Sequence, residues 1–261
     1  MTKDKRHEQI IEYLKANGAA SVKELSTLTN VSLITLRNDL DYLAKQNKVL
    51  RSHGGAVLKG LSSAPTTLIN CDLNVLSNIP NRAIKESIVA EAVKLIDPND
   101  SIFIGGGTTF YLMSKLLKTF KDLKVVTTNL SVVNELVGYV DNIYFIGGEL
   151  VELNGVYYTG GPKLPLELEK VFVNKAFIGV SGIDLTIGLT IYDLSQLNMY
   201  QCVPNIARQV ILVSDYTKFG FQSAHKIGPV KDLVDIIVTN HQVDERYPRL
   251  LKEMGIQLIV D

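Results

Sequence analysis

The stretch FIGGGTTF, residues 103–110, runs from an apolar segment through three glycines and two threonines into a helical pattern. A glycine turn between a strand and a helix lets backbone N–H groups approach an anion, and the helix N-terminus adds partial positive charge. Gly105, Gly106, Gly107, Thr108 and Thr109 are therefore candidate phosphate ligands. Glycines at strand ends are also common in simple tight turns, so this stretch alone leaves both interpretations open.

The segments around this stretch predict a parallel sheet. Short apolar runs alternate with helical patterns from residue 81 onward, the first helix being predicted over 82–96. Nearly uninterrupted apolar strands separated by helices are typical of a Rossmann-like α/β domain with helices on both faces of its sheet. The predicted strands are 101–105, 123–129, 142–148, 175–182, 210–215, 234–240 and 256–260.

Polar residues and glycines follow several of these strands. In an open α/β sheet, ligands bind beyond the carboxyl ends of the strands, so the residues that follow the strands are expected to converge on one rim. Asn129 can instead cap a helix, and Lys218 can be a solvated surface charge. Besides the glycine turn, the candidate ligand-binding residues are Asn129, Gly147, Gly148, Glu149, Gly179, Asp184 and Lys218.

The N-terminal 58 residues predict a winged helix-turn-helix. Ser21 and Glu24 form a capping-box pattern, Ser32 can cap a third helix, and two short strands follow. At about 100° per residue, one face of the third helix carries the apolar side chains expected in the core, and the opposite face carries residues suited to the major groove. The core face is Leu33, Leu36, Leu40 and Leu43, and the outward face is Ile34, Thr35, Arg37, Asn38 and Asp41.

Ser32 and the outward residues Ile34, Thr35, Arg37 and Asn38 are the candidate DNA contacts of this helix. Arg51 and His53 flank a glycine turn in the predicted wing and are candidate contacts to the DNA backbone. A helix trio of this kind is also compatible with an ordinary three-helix cap that has a solvated polar face.

The charge distribution supports a polyanion partner for the N-terminal part. The formal net charge of the whole chain is zero, but residues 1–59 carry ten Lys or Arg and six Asp or Glu. Residues 60–80 show no clear periodicity and predict a linker. Cys71 and Cys202 form no metal-binding pattern, and residues 1–10 lack the apolar core of a signal peptide, which together favour the cytoplasm.

The chain resembles the DeoR family of bacterial transcription regulators over nearly its whole length. The N-terminal resemblance rests on Arg6, Glu24-Leu25, VSLITLRNDL at 31–40 and RSHGGA at 51–56. The C-terminal resemblance rests on GGGTT at 105–109, TTN at 127–129, IGGE at 146–149, AFIGVSG at 176–182 and DYTKFG at 215–220.

The resemblance implies a DNA-binding domain at 1–58, a linker at 59–80 and a sensor domain similar to ribose-5-phosphate isomerase at 81–261. It further implies a repressor that binds duplex operator DNA as a dimer or higher oligomer and is released by a phosphorylated sugar. Three departures bear on specificity. Asn38 replaces the second Arg of the recognition helix, Gly105 replaces a frequent Asp, and Tyr200 and Gln201 lie where a Lys is usual.

A sugar-phosphate isomerase is the alternative function. Isomerisation needs a base that moves a proton between adjacent carbons. The isomerases supply carboxylates from an Asp-Gly-Ala-Asp segment, whose first position is Gly179 in this chain, and from a Lys-Gly-Gly-Gly loop that the sequence lacks. The four histidines are scattered, so neither a catalytic metal nor a cofactor is expected.

Overall fold

A computed structural model of the chain describes residues 2–17, 19–46, 48–52, 55–58, 79–120 and 122–261. The chain divides into two compact units, Met1–Thr66 and Thr67–Asp261. His53, Cys71 and most of the predicted linker, residues 59–78, lie outside the described residues. No helix in the described ranges is long and apolar enough to cross a membrane.

The first unit contains three helices and a small antiparallel sheet. Its elements are α1 (Lys3–Asn17), β1 (Ala19–Ser21), α2 (Val22–Thr29), α3 (Leu33–Lys45), β2 (Val49–Ser52) and β3 (Gly55–Leu58), and its strand order is β1-β3-β2. The predicted capping box is confirmed, since the backbone N–H of Glu24 donates to Ser21 Oγ and that of Ser21 donates to Glu24 Oε2. Strand β1 was not expected from the sequence.

The core of this unit follows the predicted helical face with one exception. Leu36, Leu40 and Leu43 are buried with Ile10, whereas Leu33 is 45% exposed. Placing Leu33 in the core was therefore wrong, since this side chain lies at the first residue of α3 and is largely open to solvent. The wing packs tightly against β1, since a Cβ on Gly55 would lie only 2.3 Å from the carbonyl oxygen of Ala20.

The second unit is built on a seven-stranded parallel sheet, and all seven predicted strands are confirmed. The strands are β4 (Ser101–Ile104), β5 (Lys124–Thr127), β6 (Asn142–Phe145), β9 (Val173–Ile178), β12 (Ala207–Val213), β14 (Ile236–Thr239) and β15 (Gln257–Val260). Their order in the sheet is β15-β14-β12-β9-β4-β5-β6.

Helices join these strands and cover the sheet. They are α4 (Arg82–Val93), α5 (Thr108–Leu117), α6 (Leu130–Leu136), α7 (Leu164–Leu168), α8 (Leu197–Ile206), α9 (Val230–Leu233) and α10 (Arg246–Glu253). Phe103, Phe110 and Phe177 are among the largest fully buried side chains, and each packs in one of two apolar clusters of this unit.

Two antiparallel insertions accompany the sheet and were not predicted. One is a hairpin of β7 (Glu149–Leu153) and β8 (Val156–Gly160), and the other is a three-stranded sheet of β10 (Gly182–Asp184), β11 (Gly188–Ile191) and β13 (His225–Gly228). Asn154 and Gly155, both with positive φ, form the hairpin turn. An Asn-Gly pair between strand-like segments is a strong hairpin signal, so the sequence contained the information.

Candidate functional site

The glycine turn of residues 105–107 ends β4 and begins α5, as the sequence predicts. Gly107 caps α5 with a φ of 105°, a conformation that side chains rarely adopt. A Cβ on Gly106 would lie 3.0 Å from the side-chain oxygen of Gln196. The turn therefore depends on glycine for its backbone conformation at one position and for close packing at another.

Asn129 supports the turn from behind. Its side-chain oxygen accepts hydrogen bonds from the backbone of Ser131 and Val132, while its amide nitrogen lies 3.4 Å from the carbonyl oxygens of Gly105 and Gly107. The side chain is fully buried. Asn129 thus caps α6 and fixes the turn, and it does not reach the cavity in front of the turn.

Two lysines bring positive charge to the front of the turn. Lys85, on α4, donates from Nζ to Thr108 Oγ1 over 3.1 Å, and Lys218 follows β12 in a short 3-10 helix. Burial lowers the pKa of Lys85, the nearby charge of Asp215 raises it, and that of Lys218 lowers it, with a net decrease. Lys85 was not identified from the sequence, because a lone lysine on an amphipathic helix resembles a surface charge.

A hydrogen-bonded carboxylate forms the opposite wall. Asp193 accepts bonds from Tyr158 Oη at 2.6 Å, from Ser195 Oγ at 2.7 Å and from the Ser195 backbone at 2.9 Å. Burial alone would raise the pKa of Asp193, but these bonds outweigh it and hold the pKa below its ordinary value. Burial and the bond to this carboxylate raise the pKa of Tyr158, so the phenol stays a neutral donor.

Tyr200 occupies the position where the family resemblance led us to expect a lysine. Its hydroxyl donates to the carbonyl oxygen of Gly179 over 2.6 Å, and burial raises the pKa of the phenol. The side chain is 4% exposed. This wall of the cavity is therefore neutral where a lysine would make it cationic.

These walls enclose a cavity of about 180 Å³ beyond the carboxyl ends of β4, β9 and β12. The chain adds strands on one side of β4 through β5 and on the other side through β9, so β4 marks a topological switch point. Such switch points are the usual ligand sites of open α/β sheets. The predicted site residues that line the cavity are Gly106, Gly107, Thr108, Thr109, Gly179 and Lys218.

The other candidate residues do not line this cavity, so the expectation that all of them converge there needs correction. Gly105 is buried behind the turn and donates its N–H to Phe177. Gly147 and Gly148 lead into the hairpin, where a Cβ on Gly148 would lie 2.5 Å from Gly160 O, and Glu149 begins β7 at the surface. The half-buried Asp184 accepts bonds from Thr186, Ile187 and Gln222.

The carboxylates that line the cavity are Asp193 and Asp215. Asp215 accepts hydrogen bonds from the backbone and the hydroxyl of Thr217. Both carboxylates thus hold their own loops in place through hydrogen bonds. Among the described residues, no group of three His, Cys, Asp or Glu side chains is arranged to hold a metal ion.

The first unit presents the outward face of α3 that the sequence predicts. Ser32, Ile34, Arg37 and Asn38 are exposed, Ile34 at 71%, and Thr35 is half-buried. Ser32 Oγ accepts a hydrogen bond from the backbone N–H of Thr35, so Ser32 caps the N-terminus of α3, where the exposed face begins. Arg51 lies in β2 opposite Ala56.

A buried ion cluster fixes α3 against α1. Asp39 Oδ2 lies 2.6 Å from Arg6 Nε, and Asp39 Oδ1 lies 3.0 Å from His7 Nε2. Burial would raise the pKa of Asp39, but the bonds and charges of Arg6 and His7 lower it overall. Asp39 therefore orients the helix from its inner face, within the same turn as the exposed Arg37 and Asn38.

Comparison with known proteins matches both units to domain families. Residues 6–60 match the DeoR-like helix-turn-helix domain, and residues 80–241 match the DeoR C terminal sensor domain. The chain is 31% identical over 259 residues to the glycerol-3-phosphate regulon repressor of Escherichia coli strain K12, covering 99% of each protein. It is 28% identical over 256 residues to the HTH-type transcriptional regulator IolR of Bacillus subtilis strain 168, covering 97% of this chain and 98% of IolR.

Among solved structures, ribose 5-phosphate isomerase A from Methanocaldococcus jannaschii is similar to part of the chain. The match has a TM-score of 0.38 and 18% sequence identity, and it covers 53% of this chain and 55% of the isomerase.

Proposed function

The chain belongs to the DeoR family of transcription regulators, and from this premise we propose that it represses an operon of carbohydrate metabolism until a phosphorylated sugar releases it. The observation that carries the effector part is the meeting of Lys85, Lys218 and the α5 N-terminus at one cavity. Two cations and a helix N-terminus together favour a phosphate group.

We assign operator recognition to the exposed face of α3. Arg37 suits a bidentate contact to guanine, Asn38 suits adenine, and the Ile34 side chain suits a thymine methyl group. The hydroxyls of Ser32 and Thr35, at the helix N-terminus, suit a DNA phosphate. Arg51 and His53 are proposed to contact the DNA backbone from the wing.

The remaining features of the proposal follow from operator binding. A helix-turn-helix that reads a palindromic site does so as a symmetric dimer, so we propose at least a dimer. Residues 1–58 act as the DNA-binding domain, 59–80 as the linker and 81–261 as the sensor. The protein acts in the cytoplasm, where bacterial operator DNA lies.

In the sensor, we propose that the phosphate lies against the backbone of the glycine turn and the hydroxyls of Thr108 and Thr109. Lys85 already donates to Thr108, so it is positioned to share its remaining N–H groups with a phosphate oxygen. The sugar hydroxyls then face Asp193, whose pKa is held low and which can accept hydrogen bonds as a carboxylate. Gly105 and Asn129 contribute through the shape of the turn.

We propose that this cavity binds its ligand without chemical turnover. An isomerase base must take a proton from carbon, and a carboxylate whose pKa is lowered by three hydrogen bonds is a weak base. Burial raises the pKa values of Tyr158 and Tyr200, so both phenols stay protonated and cannot accept a proton from carbon.

Operator release by a phosphorylated sugar tests the proposal. The operator is first selected from a random DNA duplex library with the full chain. Its affinity is then measured by fluorescence anisotropy at fixed salt, with and without each member of a sugar-phosphate panel. We expect one sugar phosphate to weaken operator binding by roughly 5–150-fold, the usual range of allosteric coupling. The proposal fails if no phosphorylated compound alters either operator affinity or thermal stability.

A further inference from the structure

The phosphate cavity opens into a second depression whose lining the proposed phosphate contacts do not use. This outer lobe has a volume of about 440 Å³, against about 180 Å³ for the inner cavity. The two lobes share Leu153, Tyr158, Tyr192 and Asp193. Since the carboxylate wall is common to both, a ligand held by its phosphate in the inner cavity can extend past Asp193 into the outer lobe.

The size of the inner cavity limits what it holds. Ligand pockets usually have volumes of roughly 300–1,000 Å³, so the inner cavity by itself suits a single small phosphorylated sugar. The two lobes together fall within the usual range. A ligand that fills the whole site is therefore larger than a monosaccharide phosphate.

The chemistry of the outer lobe suits a second sugar ring. Tyr192 and Leu194 are 67% and 58% exposed and present apolar surface next to the charged side chain of Glu152 and the imidazole of His225. A sugar ring has an apolar C–H face and a polar rim of hydroxyls. The C–H face can stack on an aromatic or aliphatic side chain, and the hydroxyls can form hydrogen bonds with carboxylates and imidazole.

We infer that the effector is a phosphorylated disaccharide, with its phosphate at Lys85 and Lys218, its phosphorylated ring in the inner cavity and its second ring in the outer lobe on Tyr192 and Leu194. This inference rests on the proposed function, because it takes the phosphate position from it. The specificity of the regulator then lies in the ring farthest from the phosphate.

Isothermal titration of the full chain tests the inference. The probes are inorganic phosphate, glucose 6-phosphate, galactose 6-phosphate and a panel of disaccharides phosphorylated at position 6 with α or β linkages. We expect at least one disaccharide phosphate to bind ten-fold or more tightly than its constituent monosaccharide phosphate. If monosaccharide phosphates bind and every disaccharide phosphate binds equally or more weakly, the inference is overturned while the proposed function stands. If none of the probes binds, the proposed phosphate site is refuted, and the inference is refuted with it.

Variants in the outer lobe locate the second ring. Ala224→Trp fills the lobe from an exposed position, and Leu194→Ala removes apolar surface that only the outer lobe uses. Both should reduce the disaccharide-to-monosaccharide affinity ratio to near one. The matched control is Leu166→Ala, which removes a 62% exposed leucine outside both lobes and should preserve the ratio. A ratio unchanged by Ala224→Trp and Leu194→Ala would place the second ring elsewhere and refute the inference.

Discussion

Replacing Lys85 by methionine should weaken phosphate binding and, at the same time, stabilise the ligand-free protein. The side chain is half-buried and its pKa is lowered, first by burial, so folding disfavours its charged form. Methionine has a similar length and carries no charge, and it removes that cost. The stability of the wild type should also rise as the pH rises through the lowered pKa of Lys85, and the variant should lack that increase.

The loss of binding can be scaled from the contact. A net hydrogen bond to a charged group contributes about 1.5–3 kcal/mol. Lys85 is held at Thr108 before the ligand arrives, so little side-chain entropy is lost on binding. We expect a loss of about 2 kcal/mol, or roughly a 30-fold weaker affinity.

Titration calorimetry with inorganic phosphate measures the affinity, and differential scanning fluorimetry measures the stability. Lys94→Met is the matched control, because Lys94 immediately follows α4 and is 67% exposed beside Glu91. This control should leave phosphate affinity unchanged. Unchanged affinity in Lys85→Met would show that the anion lies elsewhere. A large fall in melting temperature would show that Lys85 serves the fold instead of the ligand.

The remaining predictions concern both units. Thr108→Glu should abolish the sugar-phosphate response in the operator assay, because its carboxylate would occupy the proposed phosphate position beside the cavity lysines. A full response in this variant would contradict that position. Arg37→Ala should weaken specific operator binding by roughly 1–3 kcal/mol. Lys45→Ala, at the far end of α3, is the control. An unchanged preference for the operator sequence would show that Arg37 does not recognise a DNA base. Asp39→Asn should destabilise the DNA-binding unit by about 3 kcal/mol in denaturant unfolding, because it leaves Arg6 without its buried partner. Since the pKa of Asp39 is lowered, its contribution to stability is present above its unfolded-state pKa and is lost as the pH falls through the folded-state value, so the Asn variant should be less sensitive to acid. No conversion of ribose 5-phosphate to ribulose 5-phosphate is expected, and turnover abolished by Asp193→Asn would overturn this.

The strands of the large sheet were predictable because they are buried on both faces. Such strands read as short apolar runs, and all seven were found. The β7–β8 hairpin was missed because its first strand is largely exposed and carries no apolar run, although its Asn154–Gly155 turn was visible in the sequence. The pattern of apolar residues therefore identified the strands that are buried in the core. It missed the hairpin, whose sequence signal lies in its turn residues.

The candidate site was predictable where a backbone conformation required particular residues. Gly107 and Thr108 lie at the cavity because a strand-to-helix turn of this kind positions them together. Lys85 is 23 residues from Thr108 in the chain, and only the packing of α4 beside α5 brings the two side chains together. For Asn129 the sequence leaves ligand binding and helix capping both open, because it does not reveal which side of the glycine turn the side chain contacts.

The walls of the cavity differ in how freely they can change during evolution. The glycine turn is held by Asn129 and by the sheet, so substitutions there disturb the fold as well as the ligand. Tyr192 and Leu194 lie in the segment between β11 and α8, and the hairpin turn joins β7 to β8, so these residues lie outside the parallel sheet. If the glycine turn binds the phosphate as proposed, related regulators can acquire new sugars by mutating these outer residues while they inherit the same phosphate site. One ancestral sensor can then diversify without rebuilding its core.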